Sequence, residues 1–318
     1  MSTEGGTRAI LAALAANLGI AASKFVGFLL TRSSSMLAES IHSVADSGNQ
    51  VLLLVGGRRA SRQATPEHPF GYGRERYVYG FVVSIVLFSV GGLFALYEAW
   101  HKWSDPHPIE SWAWVPVVIL LVAIGLEGYS FRTAIHESNR TRGSRSWPAF
   151  VRTSKSPELP VVLLEDTAAL LGLVFALFGV GLTLATHDGR WDALGTALIG
   201  VLLVGVAAVL AVEMNSLLIG EAATPEHREA IEAALVGEGV ERVIHMRTLH
   251  LGPEELLVAA KIAVPAAVRA EDVAVAIDAA ERRVRAAVPI ARVIYLEPDI
   301  DRARVAPSSL PTASPAGH

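Results

Sequence analysis

The chain has 318 residues, of which 52% are hydrophobic and only 18% are charged. Ordinary soluble domains carry about 25% charged residues, so this composition argues against a soluble enzyme and excludes a disordered or fibrous chain. The formal net charge of −4 leaves no basic excess of the kind that a dedicated nucleic-acid-binding protein carries. The chain has no cysteine, which excludes disulfides, thiolate metal sites and cysteine nucleophiles. Any metal site must therefore use His, Asp, Glu and backbone oxygens.

Long apolar runs alternate with short polar breaks up to about residue 217. A membrane span needs about 20 mostly apolar residues, and six stretches meet that requirement. They are residues 8–30, 35–54, 77–100, 112–131, 159–185 and 191–217. The second is the weakest, because Glu39, His42, Asp46, Asn49 and Gln50 interrupt it. We therefore predict an all-α transmembrane domain of six helices over residues 1–217.

The basic residues between these spans predict the orientation of the chain. The breaks after the second and fourth spans hold five and six Lys or Arg residues, whereas Arg32, Lys102 and Arg190 stand alone in the other three. Because basic loops stay on the cytoplasmic side, both termini are expected in the cytoplasm. The lack of a transit extension favours a bacterial plasma membrane over an organelle inner membrane.

Residues 218–300 have the pattern of a small soluble domain. Thr224 followed by Pro225 is a typical helix start, and a helix to about Val236 follows. Residues 240–251 and 256–264 predict two strands, residues 270–287 an amphipathic helix, and residues 291–297 a third strand. The order αββαβ indicates a compact α+β domain, expected in the cytoplasm. Residues 301–318 are rich in Pro, Ser and Ala and are predicted to form a disordered tail.

Charged residues inside the predicted spans are candidate functional residues, because a charge at mid-membrane costs about 2.5–3.5 kcal/mol. Glu39, His42 and Asp46 are spaced by three and four, which places them on one face of a helix. Glu165 and Asp166 adjoin in the fifth span, about 100° apart on a helix, so at most one points squarely at the second span. An imidazole with two to four carboxylates suits zinc, Mn(II) or Fe(II) without any cysteine.

Each candidate also has a structural explanation. Glu39 lies near the outer end of its span and can reach water, and His42 can form an interhelical hydrogen bond. Asp46 and Asp166 lie deeper in their spans, which favours a functional role for both.

Three other charged residues lie in the predicted spans. Lys24 and Glu98 are interpreted as reaching the membrane surface or pairing with each other. Glu127 is interpreted as pairing with a loop arginine or as serving the ion path.

Two sequence runs carry a resemblance to a known family. Residues 34–47, SSMLAESIHSVADS, resemble the second span of the cation diffusion facilitators with its HxxxD pattern. Residues 68–74, HPFGYGR, resemble that family's loop signature before the third span. Residues 161–169, VVLLEDTAA, are similar to the zinc transporter 9-like branch. With six spans and an αββαβ tail, the resemblance covers nearly the whole chain.

The resemblance implies a homodimeric secondary transporter, not an enzyme, with a ferredoxin-like or metallochaperone-like C-terminal domain. It implies efflux of a divalent metal, most simply Zn²⁺, in exchange for protons. The partners expected are a second copy, the metal ion, protons and the lipid bilayer, with no prosthetic cofactor and no nucleic acid.

The resemblance also implies a ligand set, from which this chain departs at one position. His42 and Asp46 match the two ligands of the second span, and Asp166 matches the aspartate of the fifth. The usual fourth ligand would fall at Val162, which cannot bind a metal. Glu165, Glu39 or water is expected in its place, and a site richer in carboxylates makes Mn(II) or Fe(II) an alternative cargo.

Other possible metal residues lie outside the spans. His68 is a candidate for binding metal in transit, although Gly71 and Gly73 favour a simple turn there. His245 and His250 are five apart on one predicted strand and so lie on opposite faces, which favours surface or packing roles. Glu297 and Asp299 are weak candidates near the end of the domain.

Three other functions fit the sequence less well than transport. A transport-inactive scaffold that kept the fold is favoured slightly by the ligand lost at Val162. An intramembrane enzyme lacks support, because the chain contains no HExxH motif. A channel is disfavoured, because tight ligands slow the release of ions.

Overall fold

The computed structural model describes residues 3–107, 112 and 114–300, with side chains described from residue 17 onward. The chain divides into two compact units, which separate between Gly220 and Glu221 except that the short segment Leu251–Pro253 is grouped with the first. The boundaries predicted at residues 217 and 300 remain predictions, and the tail predicted at residues 301–318 lies outside the described residues.

The first unit is helical throughout. Its elements are α1 (Thr3–Thr31), α2 (Ser34–Ala60), α3 (Glu75–Val86), a π-helical segment (Leu87–Leu93), α4 (Phe94–Ser104), α5 (Trp114–Arg142), α6 (Trp147–Thr153), α7 (Glu158–Thr186) and α8 (Arg190–Ile219). The third predicted span corresponds to α3, the π-helical segment and α4, which follow one another without a break. Each of the other predicted spans lies largely within one long helix.

Four of the described helical stretches are long and apolar enough to cross a membrane: Glu75–Ser104, Trp114–Arg142, Glu158–Thr186 and Arg190–Ile219. The described side chains of α1 add a shorter apolar stretch, Asn17–Thr31. Helix α2 is more polar, for the reason already visible in its sequence. The helical membrane domain is thus supported, and the number of six spans stays a prediction.

The start of α2 is held by α8. Arg32 adopts a left-handed backbone with φ 58°, which ends α1 and turns the chain. The carboxylate of Asp192, fully buried in the first turn of α8, accepts bonds from the Ser34 backbone N–H at 2.7 Å and the Ser33 hydroxyl at 2.8 Å. A carboxylate at a helix N-terminus satisfies free N–H groups and opposes the helix dipole. Residues far apart in sequence therefore fix where α2 begins.

Helices α7 and α8 approach closely through small residues. A methyl group added at Gly179 would lie 2.9 Å from the Trp191 carbonyl oxygen and 3.2 Å from the Gly195 Cα. Around this contact, Leu173 and Val180 of α7 join Leu203 of α8 in the buried core. Small residues at a helix crossing permit the backbone approach on which packing inside a membrane depends.

The second unit has the αββαβ order predicted from the sequence. Its elements are α9 (Pro225–Leu235), β1 (Arg242–Gly252), β2 (Glu255–Ala263), α10 (Ala270–Ala287) and β3 (Val293–Asp299). The sheet order is β1-β2-β3, and β2 pairs in parallel with β3 from Leu257–Val293 to Ala263–Asp299. The Thr224 hydroxyl caps α9 by accepting from the His227 N–H. The helices bury apolar residues such as Ile231 and Val284 against Leu256 and Val258.

Candidate functional site

Helix α2 brings His42 and Asp46 together, as their spacing predicts. The His42 Nε2 lies 3.5 Å from the Asp46 Oδ2, and the His42 side chain is only 1% exposed. Among the described residues, neither ring nitrogen of His42 has a hydrogen-bond partner, and the Oδ1 of Asp46 has none either. Buried polar atoms are nearly always satisfied, so unsatisfied ones mark a strained or ligand-binding position. This pair therefore has free lone pairs for an incoming ion.

Glu39 is engaged by Lys24 of α1. The Lys24 Nζ lies 3.0 Å from the Glu39 Oε2 and donates to the Ser43 hydroxyl at 2.8 Å, and both charged side chains are fully buried. Two interpretations from the sequence are therefore wrong. Glu39 does not reach water, and Lys24 neither pairs with Glu98 nor reaches the membrane surface. Lys24 neutralises a carboxylate one helical turn before His42.

The backbone of α7 closes over this ion pair at Gly172. A methyl group at that position would lie 2.6 Å from the Glu39 Oε1. The backbone of α7 therefore passes close to the buried pair, and a side chain at position 172 would make the Glu39 carboxylate shift.

The two adjacent acids of α7 point to different helices. The Glu165 Oε1 accepts a hydrogen bond from the Asn49 Nδ2 of α2 at 2.7 Å, and Glu165 is 5% exposed. The Asp166 Oδ2 accepts from the Ser130 hydroxyl of α5 at 3.2 Å. As the 100° separation predicts, only one of them meets α2. It is Glu165, whereas the family resemblance had put Asp166 in the ligand set.

Asn49 is a site residue that the sequence reasoning missed. It had been noted only as an interruption of the second span. Asn49 follows His42 by seven residues and Asp46 by three, so it shares their helix face. That spacing was the available signal, and a neutral amide is easily passed over beside carboxylates.

Acidic side chains from three helices face one region of the bundle. Asp46 of α2 is close enough to repel both Glu165 and Asp166 of α7. Glu127 of α5 repels Asp46 and Asp166 and is attracted by Lys24. Nevertheless, among the described residues no three His, Asp or Glu side chains lie close enough together to hold a metal ion. The groups share a region of negative potential without forming a finished coordination site.

Val162 belongs to a different environment. It packs with Phe131, Ile135 and Trp147 around the buried Phe150, in an apolar cluster. At this position of α7, where the family resemblance implies a metal ligand, this chain therefore has apolar packing.

His68 lies in an exposed turn. Its ring contacts Tyr72, with ring centroids 4.6 Å apart, and its carbonyl oxygen accepts from the Gly71 N–H at 2.9 Å. Gly71 has φ 74°, a left-handed conformation that favours glycine. The glycines of the HPFGYGR run thus shape a turn, and metal binding by His68 remains a prediction.

The two histidines of β1 lie on opposite faces, as their odd spacing predicts. His245 is exposed and His250 is buried. The exposed face has a cavity of about 400 Å³ lined by His245, Lys261 and Glu297. Lys261 lies 2.9 Å from the Glu297 carboxylate and 3.2 Å from that of Asp299. Hydrogen bonds to Glu297 and Asp299 raise the pKa of Lys261, so these carboxylates join β2 to β3.

Comparison with known proteins identifies relatives of this chain. Residues 10–219 match the family model described as the cation efflux transmembrane domain. The chain is 35% identical over 225 residues to the mitochondrial proton-coupled zinc antiporter SLC30A9 of Xenopus laevis, which covers 70% of this chain and 40% of that protein.

Two more distant relatives come from a plant and a bacterium. Metal tolerance protein C4 of Arabidopsis thaliana is 29% identical, over 68% of this chain and 47% of that protein. Magnetosome protein MamM of Magnetospirillum gryphiswaldense is 25% identical, over 72% of this chain and 68% of that protein. The chain thus spans less than half the length of the animal and plant relatives.

Proposed function

This chain belongs to the cation efflux family of integral membrane metal transporters, the cation diffusion facilitators, and on that premise we propose that it exports Zn²⁺ in exchange for protons. The observation that carries the proposal is the buried His42 with both ring nitrogens unpartnered beside Asp46. A His–carboxylate pair facing further acids is a donor set that suits zinc in the absence of cysteine.

In this proposal His42 and Asp46 bind the ion from α2, and Glu165 and Asp166 supply the oxygens of α7. Glu165 takes the role that Val162 cannot fill, because it already reaches α2 through Asn49. Glu39 stays outside the ligand set, since Lys24 holds it. The four side chains are divided between α2 and α7, so binding requires these two helices to draw together around the ion.

Proton exchange follows from the crowding of like charges. Carboxylates that repel one another are stabilised either by taking up protons or by binding a cation. Metal binding needs the imidazole neutral and the carboxylates ionised, so an arriving ion releases protons. Protons that enter from the opposite side then displace the metal, and alternating access converts this competition into antiport.

The family resemblance and the arginine distribution supply the remaining parts of the proposal. The transporter works as a homodimer with both termini on the arginine-rich, cytoplasmic side. We place it in a bacterial plasma membrane. An organelle inner membrane is the alternative, because the SLC30A9 relative is named as mitochondrial.

Mn(II) or Fe(II) is the alternative cargo, favoured by the number of carboxylates. Harder ions prefer oxygen ligands, and this site offers one imidazole against several acids. A transport-inactive scaffold is the other alternative, since Val162 packs into an apolar cluster where a ligand would stand.

The test is uptake of Zn²⁺, Mn²⁺ and Fe²⁺ into proteoliposomes under an imposed pH gradient. We expect Zn²⁺ flux that collapses when an ionophore dissipates the gradient. Flux of Mn²⁺ or Fe²⁺ alone would keep the antiporter and replace its cargo. No flux of any metal from folded protein would overturn the proposal in favour of the scaffold.

A further inference from the structure

A groove opens between helices at the end of the bundle where α5 ends and α7 begins. Its volume is about 430 Å³, within the range of sites that hold a small molecule. The lining is almost wholly apolar and comes from α5, α6, α7 and α8, with Phe131, Trp147, Leu164 and Val209 as representatives. Arg152 of α6 is the charged residue in this lining.

The segment beside the groove is rich in basic residues. Residues 138–157 contain five Lys or Arg residues and no Asp or Glu. Arg145 donates to the Thr141 carbonyl at 2.7 Å and to the Thr153 hydroxyl at 3.0 Å, both neutral acceptors. Arg142 donates to the neutral Asn139 side chain and lies 4.4 Å from the centre of the Trp147 ring.

Arg152 itself is exposed at the groove. Within the part of the chain that the structure describes, Arg142, Arg145 and Arg152 form no ion pair, in contrast to Arg140, which lies 3.1 Å from the Glu137 carboxylate. Three guanidinium groups therefore lie beside an apolar groove without an anionic partner among the residues that the structure describes.

We propose that this groove binds an anionic phospholipid, with an acyl chain between α5, α7 and α8 and the phosphate at Arg152. Arginine matches phosphate oxygens with paired donors, and basic pockets between membrane helices bind anionic headgroups. Orientation of the protein accounts for basic residues in this loop but not for an apolar groove beside them. Trp147 lines the groove, and tryptophans are enriched at the membrane interface.

Trp147 also supplies the readout. Of the six tryptophans, Trp147 is the one between the end of α5 and the start of α7. The others, Trp100, Trp103, Trp112, Trp114 and Trp191, lie near the end of α4 or the starts of α5 and α8. The full chain is reconstituted in phosphatidylcholine vesicles. Either phosphatidylglycerol or phosphatidylcholine with brominated acyl chains is then added, and the bromine quenches tryptophan fluorescence. Subtraction of the Trp147→Phe signal leaves the quenching of Trp147.

We expect brominated phosphatidylglycerol to associate about fivefold more strongly than brominated phosphatidylcholine. Arg152→Gln should remove most of this preference, and Arg152→Lys should retain part of it. Arg62→Gln is the matched control, since it removes the same charge from the exposed loop after α2 and should leave the preference unchanged. Val209→Phe should fill the groove and weaken quenching by both lipids.

Three results would overturn the proposal. Equal association of the two lipids would mean that the headgroup is not recognised. Equal effects of Arg152→Gln and Arg62→Gln would mean that overall surface charge, and not the groove, causes the lipid preference. A Trp147 that neither lipid quenches would mean that another surface, such as a second copy of the chain, covers the groove.

Discussion

His42 is buried without a hydrogen-bond partner for either ring nitrogen among the described residues. Leaving a buried polar group unsatisfied costs about 1–3 kcal/mol. Its neighbour Asp46 is partly exposed and also has a free oxygen. This pair of unsatisfied groups is best explained as one part of a binding site.

The division of roles between Glu165 and Asp166 can be tested by charge removal. Glu165→Gln keeps the volume and leaves a carbonyl to accept from Asn49, yet it loses the anionic ligand. We expect Zn²⁺ flux in proteoliposomes to fall about tenfold or more, and the same for Asp46→Asn and Asp166→Asn. Glu158→Gln, at the half-buried start of the same helix where the carboxylate lies 3.5 Å from Arg76, is the matched control and should transport normally. Full flux from Glu165→Gln would leave the fourth position to water.

Lys24 offers a second test, because a buried charge depends on its partner. Lys24→Met leaves Glu39 buried with no cation and should lower the free energy of unfolding by about 3–5 kcal/mol. The double variant Lys24→Met/Glu39→Gln removes both charges and should recover most of that loss. Thermal unfolding in detergent measures both. Equal destabilisation of the single and double variants would mean that packing, rather than charge pairing, is what Lys24 contributes.

The element with the most consequence for the site is α2, and distant residues set its position. Asp192 of α8 caps its first turn, Lys24 of α1 holds Glu39, and Asn49 reaches Glu165 of α7. Each contact uses a polar group that would otherwise be costly in a bilayer. Helix α2 is therefore anchored at its start and joined to its neighbours along the face that bears the candidate ligands.

The α7–α8 crossing gives a prediction with an internal control. Gly179→Ala would press a methyl group against the Trp191 carbonyl, which is backbone and cannot swing away, and overpacking costs about 1–3 kcal/mol. Gly181→Ala meets nothing within 4 Å on the same helix and should be neutral or stabilising by up to about 1 kcal/mol. Melting temperatures in detergent should separate the two variants. If they were equal, the close approach would not limit stability.

Helix α6 and the π-helical segment were not predicted from the sequence. For α6 a signal existed, since Ser146 caps the helix and Pro148 lies in its first turn, the same pattern that predicted α9. The helix is only seven residues long. It lies in residues 138–157, where five basic residues and no acidic ones suggest a loop. The π-helical segment has no comparable signature, because apolar residues suit both helix types.

At the scale of the whole molecule, the absence of cysteine makes the six-span topology directly testable. Single cysteines at Arg62 and Ser144 should react with a membrane-impermeant maleimide from one side of sealed vesicles. Cysteines at Asp105 and Thr186 should react from the other side, because one predicted span lies between each pair of successive positions 62, 105, 144 and 186. Labelling of the Arg62 and Asp105 positions from the same side would contradict the predicted topology.

The sequence by itself determined the positions of the long helices, the αββαβ order, the family and the shared face of His42 and Asp46. These follow from local rules: the apolar period, turn residues and the spacing along a single helix. Only the tertiary structure decided that Lys24 neutralises Glu39, that Glu165 meets α2 and that Asp192 caps it. Spacing says which side chains share a face but not which helix that face meets, because the packing of residues far apart in sequence determines the neighbours.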